Sequence, residues 1–398
     1  VRFALAMPHG GYNVYAVGRN GLGKRTMMLR YLEHHVDTLQ QSHDWCYVAN
    51  FEEPRNPKLL QLPGGMGTQL KQDMEKLMTR LVKTIPQTFD SDSFLERSEQ
   101  LKNDYGKRQE DELAKVAAQA KRKKVSLTVT TPGGYRLVAM NGDEPHTAES
   151  FQALTEEQRD KFEDSINKLE KKLRQALRKM ADWEQEYADK QQALNQETLE
   201  GISGHQIDEL VEKYREQPDV VTYLEAVRKD LVDNLDIFLE DDEEQAAIAW
   251  AALDKRMPRR YLINVLVHQK TNEVPVVVED NPTYHNLFGY VENVTYKGTV
   301  FTDFSLIRAG SLHRANGGYL LMDAIKVLEQ PFVWDGLKRA LRSKSIQINS
   351  LERELTLSGT ISIEPEAVPL NVKIVLFGDR ETWMLLQEYD SEFAELFR

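Results

Sequence analysis

Residues Gly18-Arg19-Asn20-Gly21-Leu22-Gly23-Lys24-Arg25-Thr26 follow the spacing G-x-x-x-x-G-K-[ST] until its last position, where Arg25 replaces a hydroxyl. Gly18, Gly21 and Gly23 would let backbone N–H groups converge on phosphate oxygens. Lys24 would reach the outer phosphates, and the N-terminus of the following helix would add its partial positive charge. The hydroxyl that ordinarily ligates Mg²⁺ is missing. A guanidinium about 4 Å from Mg²⁺, at an effective dielectric near 20, implies repulsion of about 8 kcal/mol before relaxation. Arg25 is therefore expected to swing away, to contact a phosphate, or to exclude the metal. Thr26 lies about 100° further round the helix, so its hydroxyl cannot take over the metal position, although it can touch an inner phosphate. An ordinary Gly-rich turn with no ligand would show the same glycines.

A second run could complete such a site. Tyr319-Leu320-Leu321-Met322 is apolar and ends in Asp323, and this resembles the half of a P-loop ATPase site that holds Mg²⁺ through water. The acid that would follow, to polarise an attacking water, is replaced by Ala324. Alone, such an Asp reads equally as a cap at a strand end. Together with the loop at Gly18 it points to ATP or ADP as ligand, with Mg²⁺ at Asp323 opposed by Arg25. Nothing reads as a catalytic nucleophile or base. The nine histidines show no close His/Glu metal spacing, and His313 reads as a structural residue in its turn. The single cysteine, Cys46, sits in an apolar stretch and reads as core; it excludes a disulfide framework and any multi-cysteine metal site.

The elements that must position these residues fall into three regions. Over 1–86 strand and helix alternate: Tyr12 to Val17 as a buried strand, Thr26 to His35 as a helix, and Trp45 to Asn50 as a second strand. A Pro/Gly-rich loop from Pro54 to Gly67 follows, then a helix carrying Leu70, Met74, Leu77, Leu81 and Ile85. The region 87–257 reads as a helical insertion, an arm outside the sheet. It holds a helix over Ser91 to Lys123, a β-hairpin near 125–139 turning at Thr131-Pro132-Gly133-Gly134, and a capping box at Thr155-Glu156-Glu157-Gln158. From there Phe162, Ile166, Leu169, Leu173, Ala176, Met180, Trp183 and Tyr187 recur at steps of four and three, a coiled-coil-like seam. A second stripe from Val220 to Phe238 could pack back on it, and the acidic run Glu240 to Glu244 reads as a solvated linker. Over 258–398 alternation returns, with Tyr261 to Val267, Tyr319 to Met322 and Val372 to Phe377 suited to a buried parallel sheet. The fold class expected is α/β, a parallel-sheet core interrupted by a long helical insertion.

Composition agrees. The chain has 398 residues, too many for one simple core, and its net charge of −12 argues against a nucleic-acid partner, which rewards a basic surface. The basic run Lys121 to Lys124 reads as a solvated helix end. No apolar run reaches membrane-spanning length and no signal peptide is visible, so a cytoplasmic location is expected. The start at Val1 and the stop at Arg398 within a helical pattern read as a segment of a longer chain.

Four strings carry a family resemblance: Pro275 to Glu279, Asn286 to Glu292, Gly310 to Tyr319 and Pro369 to Asp379. They resemble the AAA+ portion of Lon-related bacterial proteases, and the resemblance runs over nearly the whole chain. It implies Lys24 as the phosphate lysine, Asp323 as the metal-associated acid, and Asp379 at the position that senses the γ-phosphate. It also implies a hairpin between Leu355 and Ile363 and a ring-shaped homo-oligomer that handles unfolded polypeptide. The family's peptidase domain, with its Ser–Lys dyad, would lie beyond Arg398, so the parent would be an ATP-dependent serine peptidase. Arg25 and Ala324 depart from the pattern, which implies a poor ATPase. The pore-facing loop would be Pro54 to Gly67, with Leu60 and Met66 as candidates to grip a substrate chain; a surface loop pinned by its own apolar residues would read the same. Two other readings stay open: a working ATPase that tolerates both departures, and a structural coiled-coil ATPase. The second needs a Leu-Ser-Gly signature ahead of Asp323, whereas Leu357-Ser358-Gly359 lies after it.

Overall fold

The computed structural model describes residues 13–19, 23–35, 42–130, 134–142, 144–146, 150, 154–239, 258–270, 273–296, 299–348 and 363–397. Gly21, the acidic run at 240–244 and the expected hairpin of 355–363, Ile363 excepted, lie outside them. The main elements in chain order are β1 (Val14–Val17), α1 (Lys24–His35), β2 (His43–Val48), β3 (Lys58–Pro63), α2 (Met66–Phe89) and α3 (Asp92–Arg122). Next come β4 (Val125–Thr130), β5 (Gly134–Asn141), α4 (Glu156–Lys213), α5 (Pro218–Asp233), β6 (Asn264–Val267) and β7 (Val276–Glu279). The series closes with β8 (Tyr319–Asp323), α6 (Ala324–Glu329), α7 (Val333–Ser343), β9 (Lys373–Gly378) and α8 (Arg380–Tyr389). The fold is mixed α/β, with a parallel sheet and, in α4, a helix of 58 residues.

The chain divides into two compact units, Val1–Lys83 with Ser203–Arg398, and Thr84–Ile202. The insertion expected over 87–257 is thus shorter as a compact body, and α5 belongs to the first unit. Side chains tie it there. Asp230 of α5 accepts from Tyr261 Oη at 2.8 Å and pairs with Arg260 at 2.6 Å, while Tyr223 stacks on Phe51.

In the first unit, β1, β9, β8 and β7 form a parallel sheet in that order. Its central strands are nearly continuous apolar runs because both faces are covered. Val14, Leu321 and Val375 pack with Met28 and Leu32 of α1. Leu320, Met322, Ile374 and Leu376, one residue out of phase, pack into the larger core with Val333 and Leu337 of α7. The run Tyr261 to Val267 is not part of this sheet. Its strand, β6, pairs antiparallel with β2, which also pairs antiparallel with β3. An apolar run specifies burial, not the direction of its neighbour, and that is why the expectation failed here.

The second unit is an antiparallel helix pair with a hairpin. Arg97 pairs with Glu197, Arg108 with Glu186 and Glu112 with Lys179, so partners on α4 descend as those on α3 ascend. Leu173 and Ala176 of the seam meet Val116, and Leu169 meets Ala120 and Val125. Within this unit the seam therefore packs on α3 and the hairpin. Strands β4 and β5 form the expected hairpin, with Val125 opposite Ala139. Ser91 caps α3 by accepting from Phe94 N. At the head of α4, Gln158 Oε1 accepts from Thr155 N, half of the expected capping box.

Candidate functional site

Register brings the C-terminal ends of the four parallel strands side by side: Val17 opposite Gly378, Asp323 opposite Phe377, Met322 opposite Glu279. Ligands of open α/β sheets bind along this edge. Gly18, Lys24, Arg25, Asp323 and Asp379, predicted from positions up to 361 apart, all lie here, and Asp280 joins them.

Each charged group has a protein partner. Lys24 opens α1 and its ammonium donates to the carbonyls of Gly18 and Gly378, the latter at 3.1 Å. The Arg25 guanidinium forms a fork with Asp280, Nη2 lying 2.9 Å from Oδ2. That guanidinium holds the Asp280 carboxyl below the usual range. Asp323 accepts from Ile325 N at 3.0 Å and so caps α6. Asp379 caps α8 by accepting from Thr382 N at 2.7 Å, which, with the Lys24 charge nearby, lowers its pKa. Burial, with Asp379 and Asp323 close by, pushes the Tyr15 hydroxyl up to about 12. Tyr15 also explains Gly378, where a Cβ would meet the Tyr15 hydroxyl at 1.8 Å. Gly23, at φ +68°, supplies the left-handed turn into α1. Thr26 is exposed on α1.

These residues fit a phosphate group better than a metal. Lys24 and the first-turn N–H groups of α1 are donors at a helix N-terminus. For Mg²⁺ the donor set is poor: a guanidinium replaces the hydroxyl, and Asp323 Oδ1 is engaged as a cap. Ala324 is 1% exposed and packed in the core, so the acid's place is filled by apolar contacts. Among the described residues no group of three or more His, Cys, Asp or Glu is arranged to hold a metal.

One pore-loop candidate, Leu60, is corrected. The stretch expected as a loop contains β3, whose residues alternate outward and inward. Leu60 is 2% exposed and Leu62 1%. Leu60 cannot grip a passing chain. Met66 is half-buried and opens α2. Cys46 is fully buried, which pushes its thiol up to about 12. His313 is buried in a short turn, its Nδ1 accepting from Gly310 N at 3.2 Å.

Asp280 was missed in the sequence. The signal was available, since Val276-Val277-Val278-Glu279-Asp280 is an apolar run ending in acids like that at Asp323. Parts of the strings that carry the family resemblance are architectural. Leu287 and Phe288 are core residues, and Asn316 stitches the turn before β8 to Pro369 and Asn371 at 2.7 Å each.

Residues 272–398 match the model of the LonB-like AAA domain, and residues 44–77 match that of the Lon-like LonC helical domain. The chain is 28% identical over 89 residues to the "Putative Lon protease homolog" of Escherichia coli (strain K12). That match covers 22% of this chain and 14% of the relative. Asp323 and Asp379 fall inside the matched AAA range, whereas Gly18 to Thr26 fall outside both ranges. No described helix is long and apolar enough to cross a membrane.

Proposed function

We propose, from the premise that this chain carries a Lon-related AAA+ portion, that it is a polypeptide-handling module with a degenerate nucleotide site. It would take nucleotide weakly, without tight Mg²⁺, and hydrolyse it very slowly or not at all. The observation that carries this reading is the Arg25–Asp280 fork at the loop where a metal-ligating hydroxyl would stand. Lys24 and the start of α1 would hold a phosphate; ATP would supply phosphate charge for those donors. With Ala324 no carboxylate follows Asp323 to take a proton from water, and loss of a general base typically costs about 10²–10⁴-fold. The chain would act as a homo-oligomer within a longer Lon-like protease, delivering unfolded substrate to a serine peptidase. The family matches support that setting.

Calorimetric titration with ADP and ATP, with and without Mg²⁺, tests the site. The expected result is weak binding that Mg²⁺ does not strengthen. Tight, Mg²⁺-dependent binding, or a turnover of about 1 s⁻¹, within the ordinary enzymatic range, would overturn the reading in favour of a working ATPase.

A further inference from the structure

Away from the strand edge, the first unit contains a cavity of 430 Å³, well within the range of ligand-binding pockets. Its walls combine three elements. Strands β2 and β3 contribute Val48, Leu59 and Leu60, α5 contributes Tyr223 and Ala226, and Phe51 stands between them, stacked on Tyr223 at 6.0 Å. The rim is of another character. Glu52, Asp219 and Glu366 line it, against a single Lys58, and all four are exposed. Glu366 is partly engaged, accepting from Leu59 N at 3.0 Å, which also blocks a hydrogen-bonding position on the edge of β3. Glu52 and Asp219 have no ion pair among the described residues.

An apolar, aromatic-walled chamber under a net negative rim suits a guest with an aliphatic body and a cationic tip. Lysine and arginine side chains have that build: the methylene stem buries while the charge stays at the water boundary. Neutral apolar guests would leave the carboxylates unused, and acidic ones would be repelled.

We infer that this cavity is a docking site for extended polypeptide segments in which basic and aliphatic residues alternate, with the aliphatic parts against Phe51, Leu59 and Tyr223 and the cations against Glu52 and Asp219. The site is independent of the phosphate loop, so it selects among polypeptides whether or not nucleotide binds. Blocking of the β3 edge by Glu366 means that the guest is held by side chains, not added as a strand.

The test uses this chain and a fluorescein-labelled Ser-Leu-Arg-Leu-Arg-Ser-Gly peptide, read by fluorescence anisotropy. The control peptide carries glutamate in place of arginine. Saturable binding is expected for the arginine peptide, at least tenfold weaker binding for the control, and loss of affinity as salt is raised. Glu52→Lys with Asp219→Lys, both on exposed side chains, should weaken the arginine peptide at least tenfold while circular dichroism stays unchanged. Ala226→Trp, which fills the chamber, should abolish binding. Equal affinity for the two peptides, no saturable binding, or indifference to the double charge reversal would overturn the proposal. Nucleotide titration of the same preparations reports separately on the phosphate loop, so failure of either idea leaves the other readable.

Discussion

Arg25 acts by position more than by strength. Its pair with Asp280 is exposed on both sides, and such pairs contribute about 0–1 kcal/mol. Arg25→Thr is therefore expected to shift stability by less than about 1 kcal/mol in urea unfolding while strengthening Mg²⁺-dependent nucleotide binding in calorimetry. Unchanged affinity would mean that the loop fails for some reason other than the guanidinium. Ala324→Glu is a different case. Ala324 is core, and an added carboxylate there is expected to cost about 1–3 kcal/mol through overpacking, before any gain in catalysis. His313 makes a pH prediction. Burial depresses its pKa to about 3, so below the ordinary value the unfolded chain takes up a proton that the folded chain refuses. Its contribution to stability is therefore present at neutral pH and falls by about 1.4 kcal/mol per pH unit as pH drops from about 6.5 toward 3. Nuclear magnetic resonance should show one histidine ring that does not titrate above pH 4. His313→Gln should remove that share of the pH slope in unfolding experiments.

Among the elements, those with strong periodicity were legible and those defined by pairing were not. The stripe Leu70, Met74, Leu77, Leu81 and Ile85 of α2 is buried to 4% exposure or less, as its spacing predicts. The seam of α4 and the hairpin were equally plain, because local pattern fixes both. Strand β3 was hidden by the Pro and Gly around it, although Leu60 and Leu62 alternate with Gln61. Leu60→Ala is expected to cost about 2–5 kcal/mol, measured by urea unfolding, as for other buried leucines. A change below about 1 kcal/mol would return Leu60 to the list of exposed, functional side chains. The charged site shows the same division. Lys24, Arg25 and Asp323 could be read from short motifs, but the Arg25–Asp280 contact joins residues 255 positions apart and depends on strand order. No local pattern encodes strand order.

For the molecule as a whole, the parallel sheet sets a timetable. Among the described residues strand β1 pairs only with β9 within that sheet, and Asn13 Oδ1 accepts from Ile374 N across 361 positions of sequence. At about 5–20 residues per second of translation, β1 waits roughly 20–70 s on the ribosome for its neighbour. Unit Thr84–Ile202 is continuous in sequence and faces no such delay. Throughout that interval Val14, Tyr15 and the apolar face of α1 have no sheet to cover, an exposure that invites chaperones or aggregation. Stalled nascent chains lacking residues 371–398 should accordingly be cut by protease around 14–32 while the α3–α4 pair resists. Protection of β1 in such chains would show that it finds shelter before its partner strand is made.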